Sequence, residues 1–285
     1  MAKVTLIILA ILIALIIILS VAAAIGGNRF RHQARAEAAA MFARSQVAPR
    51  EIITEAHLEN LPAPVQRWLR RAGVVGKERI ITVRLKQKGL FRLSESQRWM
   101  SFEAEQYYAT DEPAFIWYTT MRLAPLLAIT GRDKYEDGNG NMLIKLLSLI
   151  PVADAKGDEI DQGVLVRYLN ETMWFPTAAL SRYITWESVD ENSAKATMSY
   201  KGVTASAIFQ FKATGELTNM IATRYRSVGK RFQLDQWATP ISAHREYNGI
   251  LIPCKGEGVW KLSTGDFSYI KLEVTEIEYN NASIY

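Results

Sequence analysis

The sequence predicts a mainly β protein of the α+β class: a curved antiparallel sheet, or half-barrel, with an internal helix, preceded by an N-terminal transmembrane helix. Three observations predict it. Residues 4–27 carry no charge and are mostly Ile, Leu, Val and Ala. From residue 80 onward apolar and polar side chains alternate in segment after segment, divided by Gly, Asn and Asp turn signals. Residues 163–183 interrupt that alternation with apolar side chains at helical spacing.

The apolar run is long enough, at about 1.5 Å per residue, to cross a hydrocarbon core of about 30 Å. Its rival is a cleaved signal peptide, because Ala22-Ala23-Ala24 offers a small-residue cleavage site. Signal-peptide cores run to only about 7–15 apolar residues, which favours a retained single-pass anchor over residues 1–27. With no charged face, the segment does not read as an interfacial helix. Lys3 flanks one end and Arg29, Arg31, Arg35 and Arg44 the other. Taken alone, these charges place the following domain in the cytoplasm.

Residues 28–60 read as a juxtamembrane helix and linker. The Ala- and Arg-rich stretch 31–44 favours helix, ending before Pro49, with arginines among lipid head groups or in a solvated spacer. The β domain takes residues 61–285. It opens with a short helix: Pro62 and Pro64 suit a first turn, Val65, Trp68 and Leu69 share a face, and Gly73 ends it. Strands are expected from residue 80 and over 99–108, 115–123 and 127–135, followed by a turn at Glu136-Asp137-Gly138-Asn139-Gly140. The apolar run 142–150, closed by Pro151, fits either a strand or a buried helix. After the internal helix, alternation returns over 194–201, 205–212 and 217–226. Turns follow at Tyr247-Asn248-Gly249 and Thr264-Gly265-Asp266, with a short strand 258–262 between them and a last strand over 267–279. A hairpin-linked sheet of this length must curl to protect its edges, and a helix in mid-order suits a filled half-barrel.

The chemistry is sparse. The net charge of +5 comes from basic residues interleaved with acids, so no nucleic-acid partner is expected. The single Cys254 excludes an intramolecular disulfide and reads as a small buried hydrophobe. His32, His57 and His244 are scattered, and no metal or cofactor motif is present. No nucleophile elbow or phosphate loop appears, and no catalytic residue is assigned. Asp133, Asp137 and Glu171 are the acids nearest the distinctive segments. Asp137 suits a turn, and Glu171 stands at i,i+4 from Arg167, so structural roles explain them more simply than catalysis.

Several stretches resemble an uncharacterised family of bacterial membrane-anchored proteins of unknown function. They are Leu61-Pro62-Ala63-Pro64-Val65 through Gly73-Val74-Val75-Gly76, Phe115-Ile116-Trp117 and Arg132-Asp133-Lys134-Tyr135. The most specific is Arg167-Tyr168-Leu169-Asn170-Glu171-Thr172-Met173-Trp174-Phe175-Pro176, followed by Asn248-Gly249-Ile250-Leu251-Ile252-Pro253 and Trp260. The strand layout is similar to the lipoprotein-carrier (LolA/LolB-like) half-barrel. That resemblance implies fold and a bacterial envelope location, with the β domain outside the membrane, opposite to the charge rule; the side stays open. It implies no activity.

Inward aromatics on a curved sheet can line an apolar hollow fit for an acyl chain. The leading expectation is a non-enzymatic membrane-tethered binding module for an apolar or lipid-like ligand. Arg167, Tyr168, Trp174, Phe175 and Trp117 are the candidate ligand-binding residues, with Arg167 and Trp174 near the mouth. The alternatives are a protein-interaction scaffold with a filled core, and a carboxylate-dependent hydrolase in which Asp133 and Glu171 converge in a wet cleft.

Overall fold

The computed structural model describes residues 2–45, 51–124, 127–229 and 231–285. The chain begins with one unbroken helix, α1 (Ala2–Ser45), long and apolar enough in its first part to cross a membrane. That part stands clear of the rest of the chain. Beyond it, Phe30, Ala34, Ala38, Met41, Phe42 and Ser45 are buried, at the three- and four-residue spacing of one helix face. The stretch expected as a juxtamembrane spacer therefore packs on the domain. Helix α2 (Ala63–Ala72) follows; Gly73 ends it at φ 77°, a left-handed conformation that costs glycine little. Val65, Trp68, Leu69 and Ala72 turn into the core.

The sheet then starts with β1 (Thr82–Phe91), β2 (Met100–Ala109), β3 (Ala114–Ala124), β4 (Leu127–Glu136), β5 (Asn139–Leu146) and β6 (Ile150–Ala155). Helix α3 (Asp158–Glu171) interrupts it, continued by 3₁₀ turns at Thr172–Trp174 and Pro176–Leu180. The second half is β7 (Ile184–Asp190), β8 (Ser193–Tyr200), β9 (Val203–Phe211), β10 (Leu217–Val228), β11 (Arg231–Ala238), β12 (Ile241–Tyr247), β13 (Ile250–Leu262) and β14 (Gly265–Tyr279). All pairings are antiparallel, in the order β6-β5-β4-β3-β2-β1-β14-β13-β11-β10-β9-β8-β7. Strand β12 pairs with β13 off that path. The expected curved antiparallel half-barrel with an internal helix is the observed fold.

At Gly89, β1 and β14 approach closely. A Cβ there would overlap the carbonyl oxygen of Lys271 and press on the Phe102 ring, so glycine alone lets β1 and β14 coil this closely. On the concave side, Val83, Leu85, Phe102, Tyr108, Phe115 and Trp117 join the main core with α2 and α3. Helix α3 bridges the two limbs of the sheet. The Gly140 N–H donates to the Asp161 carboxylate at 2.5 Å, and Arg224 Nε donates to the Gly163 carbonyl at 2.9 Å. The limbs meet at what we term the lower end: the Asp137-Gly138 turn abuts Lys201, and the Tyr135 and Tyr200 ring centroids lie 6.2 Å apart.

The convex side carries a second core. Residues 30–45 of α1 cover Tyr107, Ala109, Ala114, Ile116 and Tyr118 of β2 and β3. Phe30 meets Tyr118 at 5.7 Å and Phe42 meets Tyr107 at 5.9 Å, both edge to face. The Arg35 guanidinium forks onto Glu105 at 2.9 and 2.7 Å.

Some elements differ from expectation. Helix α3 starts at Asp158, not residue 163; its first turn carries Asp158, Glu159 and Asp161, which complement the positive helix end. The ambiguous run 142–150 is the end of β5, a turn at residues 147–149, and the start of β6, where Pro151 sits in an edge strand. Strands β7, β11 and β12 were not foreseen, and the strand expected over 258–262 extends back to Ile250.

Candidate functional site

The internal helix carries two charged side chains into the hollow, Arg167 and Glu171. Arg167 lies on α3 beneath β2, β3 and β4, and its Nη1 donates to Asp133 Oδ2 at 2.6 Å. Its Nε donates to Glu171 Oε1 at 2.8 Å, one helical turn on. The guanidinium carbon stands 5.0 Å from the Phe115 ring centroid and 4.8 Å from that of Trp117. The second oxygen of Glu171 accepts from Gln106 Nε2 and from the Tyr108 hydroxyl, each at 2.9 Å. Beside them, Trp117 Nε1 donates to Gln87 Oε1 at 3.1 Å.

This cluster is nearly dry, with side-chain exposures of 14% for Arg167, 17% for Asp133 and 7% for Glu171. Burial works against the Arg167 charge, but the carboxylates of Glu171 and Asp133 outweigh it and hold the guanidinium protonated. Burial, then the Glu171 charge, pushes the Tyr108 phenol well above its ordinary value. Chemically the group is a strut. Asp133 and Glu171 do converge, but onto one guanidinium that pairs with both, in a nearly dry site. The arrangement ties α3 to β2 and β4.

The five sequence-predicted residues divide. Trp117 and Arg167 share this cluster. Tyr168, 1% exposed, donates its hydroxyl to the Ala109 carbonyl at 2.9 Å. Trp174, 2% exposed, lies in the core, where its carbonyl accepts from the Tyr279 hydroxyl at 2.7 Å. The Phe175 ring is fully buried, 4.6 Å from Tyr108. Those three are packed into the core, Trp174, expected near the mouth with Arg167, among them.

Above Arg167, away from the lower end, the concave wall is more open. Ile129 on β4 and Met142, Ile144 and Leu146 on β5 face inward by register and are only half-buried. Leu262 on β13 and Ile270 and Leu272 on β14 are likewise partly buried against the same core. Sequence reasoning did not mark this wall, because its β5 part lay in the segment readable as helix. On the far limb Arg224 stacks 4.8 Å from Trp237, and Arg226 pairs with Asp235 at 2.7 Å.

Two other concavities lie outside the hollow. A groove of about 480 Å³ on the convex face is lined by Lys88, Glu103, Arg122, Lys255 and Glu273 among others. A second, of about 590 Å³, lies between Arg44, Arg79, Asp111 and Arg182. There burial raises the Asp111 carboxyl, opposed by Arg79 and Arg182. Among the described residues, no group of three His, Cys, Asp or Glu side chains is arranged to hold a metal ion.

No curated protein sequence matches this chain. Similar solved structures include two at low identity. One is a putative outer membrane lipoprotein-sorting protein domain from Vibrio parahaemolyticus, 7% identical at a TM-score of 0.40, covering 70% of this chain and 86% of that one. The other is a LolA superfamily protein from Nitrosomonas europaea, 9% identical at 0.40, covering 76% of this chain and 94% of that one. The model of a family of unknown function, DUF6544, matches residues 51–272, most of the β domain, and the chain belongs to that family.

Proposed function

We propose that this protein is a membrane-tethered, non-enzymatic module that takes an apolar, lipid-like group against the upper concave wall of its half-barrel. The half-buried Ile, Leu and Met side chains on the concave face of β4-β5 and β13-β14 carry the reading. A soluble domain that needed nothing there would gain by closing such a wall, since each buried methylene contributes about 0.8 kcal/mol. Trp117 and Arg167 form its floor, so a bound chain meets a cation held by two carboxylates, not a free charge. Tether and wall suit each other, because the first part of α1 is continuous with the helix packed on the domain.

The test is binding of a fluorescent acyl-chain probe to the full chain in mild detergent. Binding is expected for the native sequence and a loss of at least about tenfold in affinity for Ile144→Glu, which sets a charge in the wall. Circular dichroism should show the variant folded. A native chain that binds no acyl probe, and carries no lipid in native mass spectrometry, would contradict the reading. Complete burial of Tyr168, Trp174 and Phe175 favours the second reading, a partner-binding scaffold with a solid core. In that case crosslinking in membranes should capture a discrete protein, and no lipid should copurify.

A further inference from the structure

We infer that the upper edge of the half-barrel beds in the bilayer surface, so that the open concave wall faces lipid directly. The inference rests on the anchor reading and adds the orientation of the domain. Gly26 and Gly27, the last residues of the uncharged run, touch the β5-β6 turn: a Cβ on Gly26 would stand 2.7 Å from Leu149 Cδ2, and one on Gly27 3.3 Å from Ser148 Oγ. From there α1 descends along the strands. Phe30 lies beside Tyr118 and under the Lys145 ammonium, Phe42 beside Tyr107, and Arg44 pairs with Glu136 near the lower end. The free apolar half of α1 therefore projects beyond the upper ends of β3 to β6, and the turn after β5 lies level with its base.

That same edge is apolar and uncovered. Leu123 is 45% exposed, Leu127 38%, Leu149 39%, Ile150 57% and Val152 56%. Single exposed leucines on a surface are ordinary, but a row of them at one edge marks a contact. Its occupant follows from continuity, since the row adjoins the exposed apolar surface of residues 4–27 and any membrane holding that segment lies against it. The charges nearby agree: Arg29 and Arg31 follow the apolar run and Arg122 precedes Leu123, all exposed, where anionic head groups would sit. Ile129 and Leu146, which pair at this end of β4 and β5, begin the concave wall. An acyl group then passes from bilayer to hollow without crossing water.

The test uses the full chain with Cys254→Ala, which removes the one native thiol, in phosphatidylcholine–phosphatidylglycerol vesicles carrying doxyl-labelled lipid. Single cysteines bearing an environment-sensitive fluorophore are placed by Leu149→Cys and Val152→Cys at the upper edge, Asn139→Cys at the lower end, and Ile13→Cys in the anchor. Fluorescence loss at positions 13, 149 and 152 but not at 139 is the expected result. Loss at 13 alone would overturn the docking and leave the anchor standing. No loss at 13 would sink the anchor reading and the docking with it. Loss at 139 as well would mean that the sheet lies flat on the membrane, which also overturns edge-on docking.

Discussion

Arg167 shows what one buried charge does in this fold. Its guanidinium answers two carboxylates and lies between two aromatic rings, and little of it reaches water. Replacing it by Met leaves Asp133 and Glu171 facing each other without a cation. Breaking a buried pair in this way costs about 3–5 kcal/mol. Chemical denaturation of Arg167→Met should show a loss of that size, and Arg167→Lys should restore only part of it, because an ammonium lacks the fork that reaches both partners. A loss below about 1 kcal/mol, the range of exposed pairs, would show the strut to be solvated. Half of this site was legible in the sequence. The Arg167 to Glu171 spacing announces an ion pair on one helix face. Asp133, Gln106 and Tyr108 join it from 34, 65 and 63 residues away, and no local pattern encodes such partners. Nor does residue type say whether Trp174 and Phe175 line a hollow or fill it; packing around α3 decides that.

At the scale of elements, legibility follows exposure. Strands β8 and β9 bury one face and wet the other, so their alternation is plain. The sequence of β5 hides its period because apolar side chains stand on both faces: Ile144 turns to the hollow while Leu143 packs toward α1. In β11 the expected pattern is inverted, with Phe232 and Leu234 exposed and Asp235 paired inside to Arg226. The second half of α1 hid its packing for another reason. Two of its contact residues are Ala34 and Ala38, small enough to bring the helix backbone close to the sheet but weak as a hydrophobic signal. The larger anchors are Phe30 and Phe42. Phe42→Ala removes a fully buried ring, a change that costs about 3–5 kcal/mol in a core. Because residues 30–45 of α1 pack on the convex face, apart from the main core, that cost should appear as local release. Amide exchange should accelerate through residues 30–45 while β8 to β10 keep their protection. Uniform acceleration across the sheet would instead make α1 part of one cooperative unit with the main core.

For the whole molecule, the sheet has two covered sides with different owners. The concave side is filled below its open upper wall by α2, α3 and the 3₁₀ turns, all from within the matched family region, residues 51–272. Part of the convex side is closed by the helix that also carries the apolar segment, with Ala282, Ile284 and Tyr285 beside it, so apolar segment and fold share one element. The consequence is testable by truncation. A chain starting at Asn28 keeps Phe30 through Ser45 and should be folded and monomeric without detergent. A chain starting at Glu51 uncovers Tyr107, Ile116 and Tyr118, at present 0%, 1% and 4% exposed, on the flat outer face of β2 and β3. Uncovered apolar sheet surface of that kind drives association. Light scattering should therefore find the shorter chain self-associated and less heat-stable, with Tyr107→Lys and Tyr118→Lys together restoring a monomer. If the two chains were equally monomeric and equally stable, the second half of α1 would be a strap resting on the sheet. The rigid placement of the half-barrel against the apolar segment would then lose its physical basis.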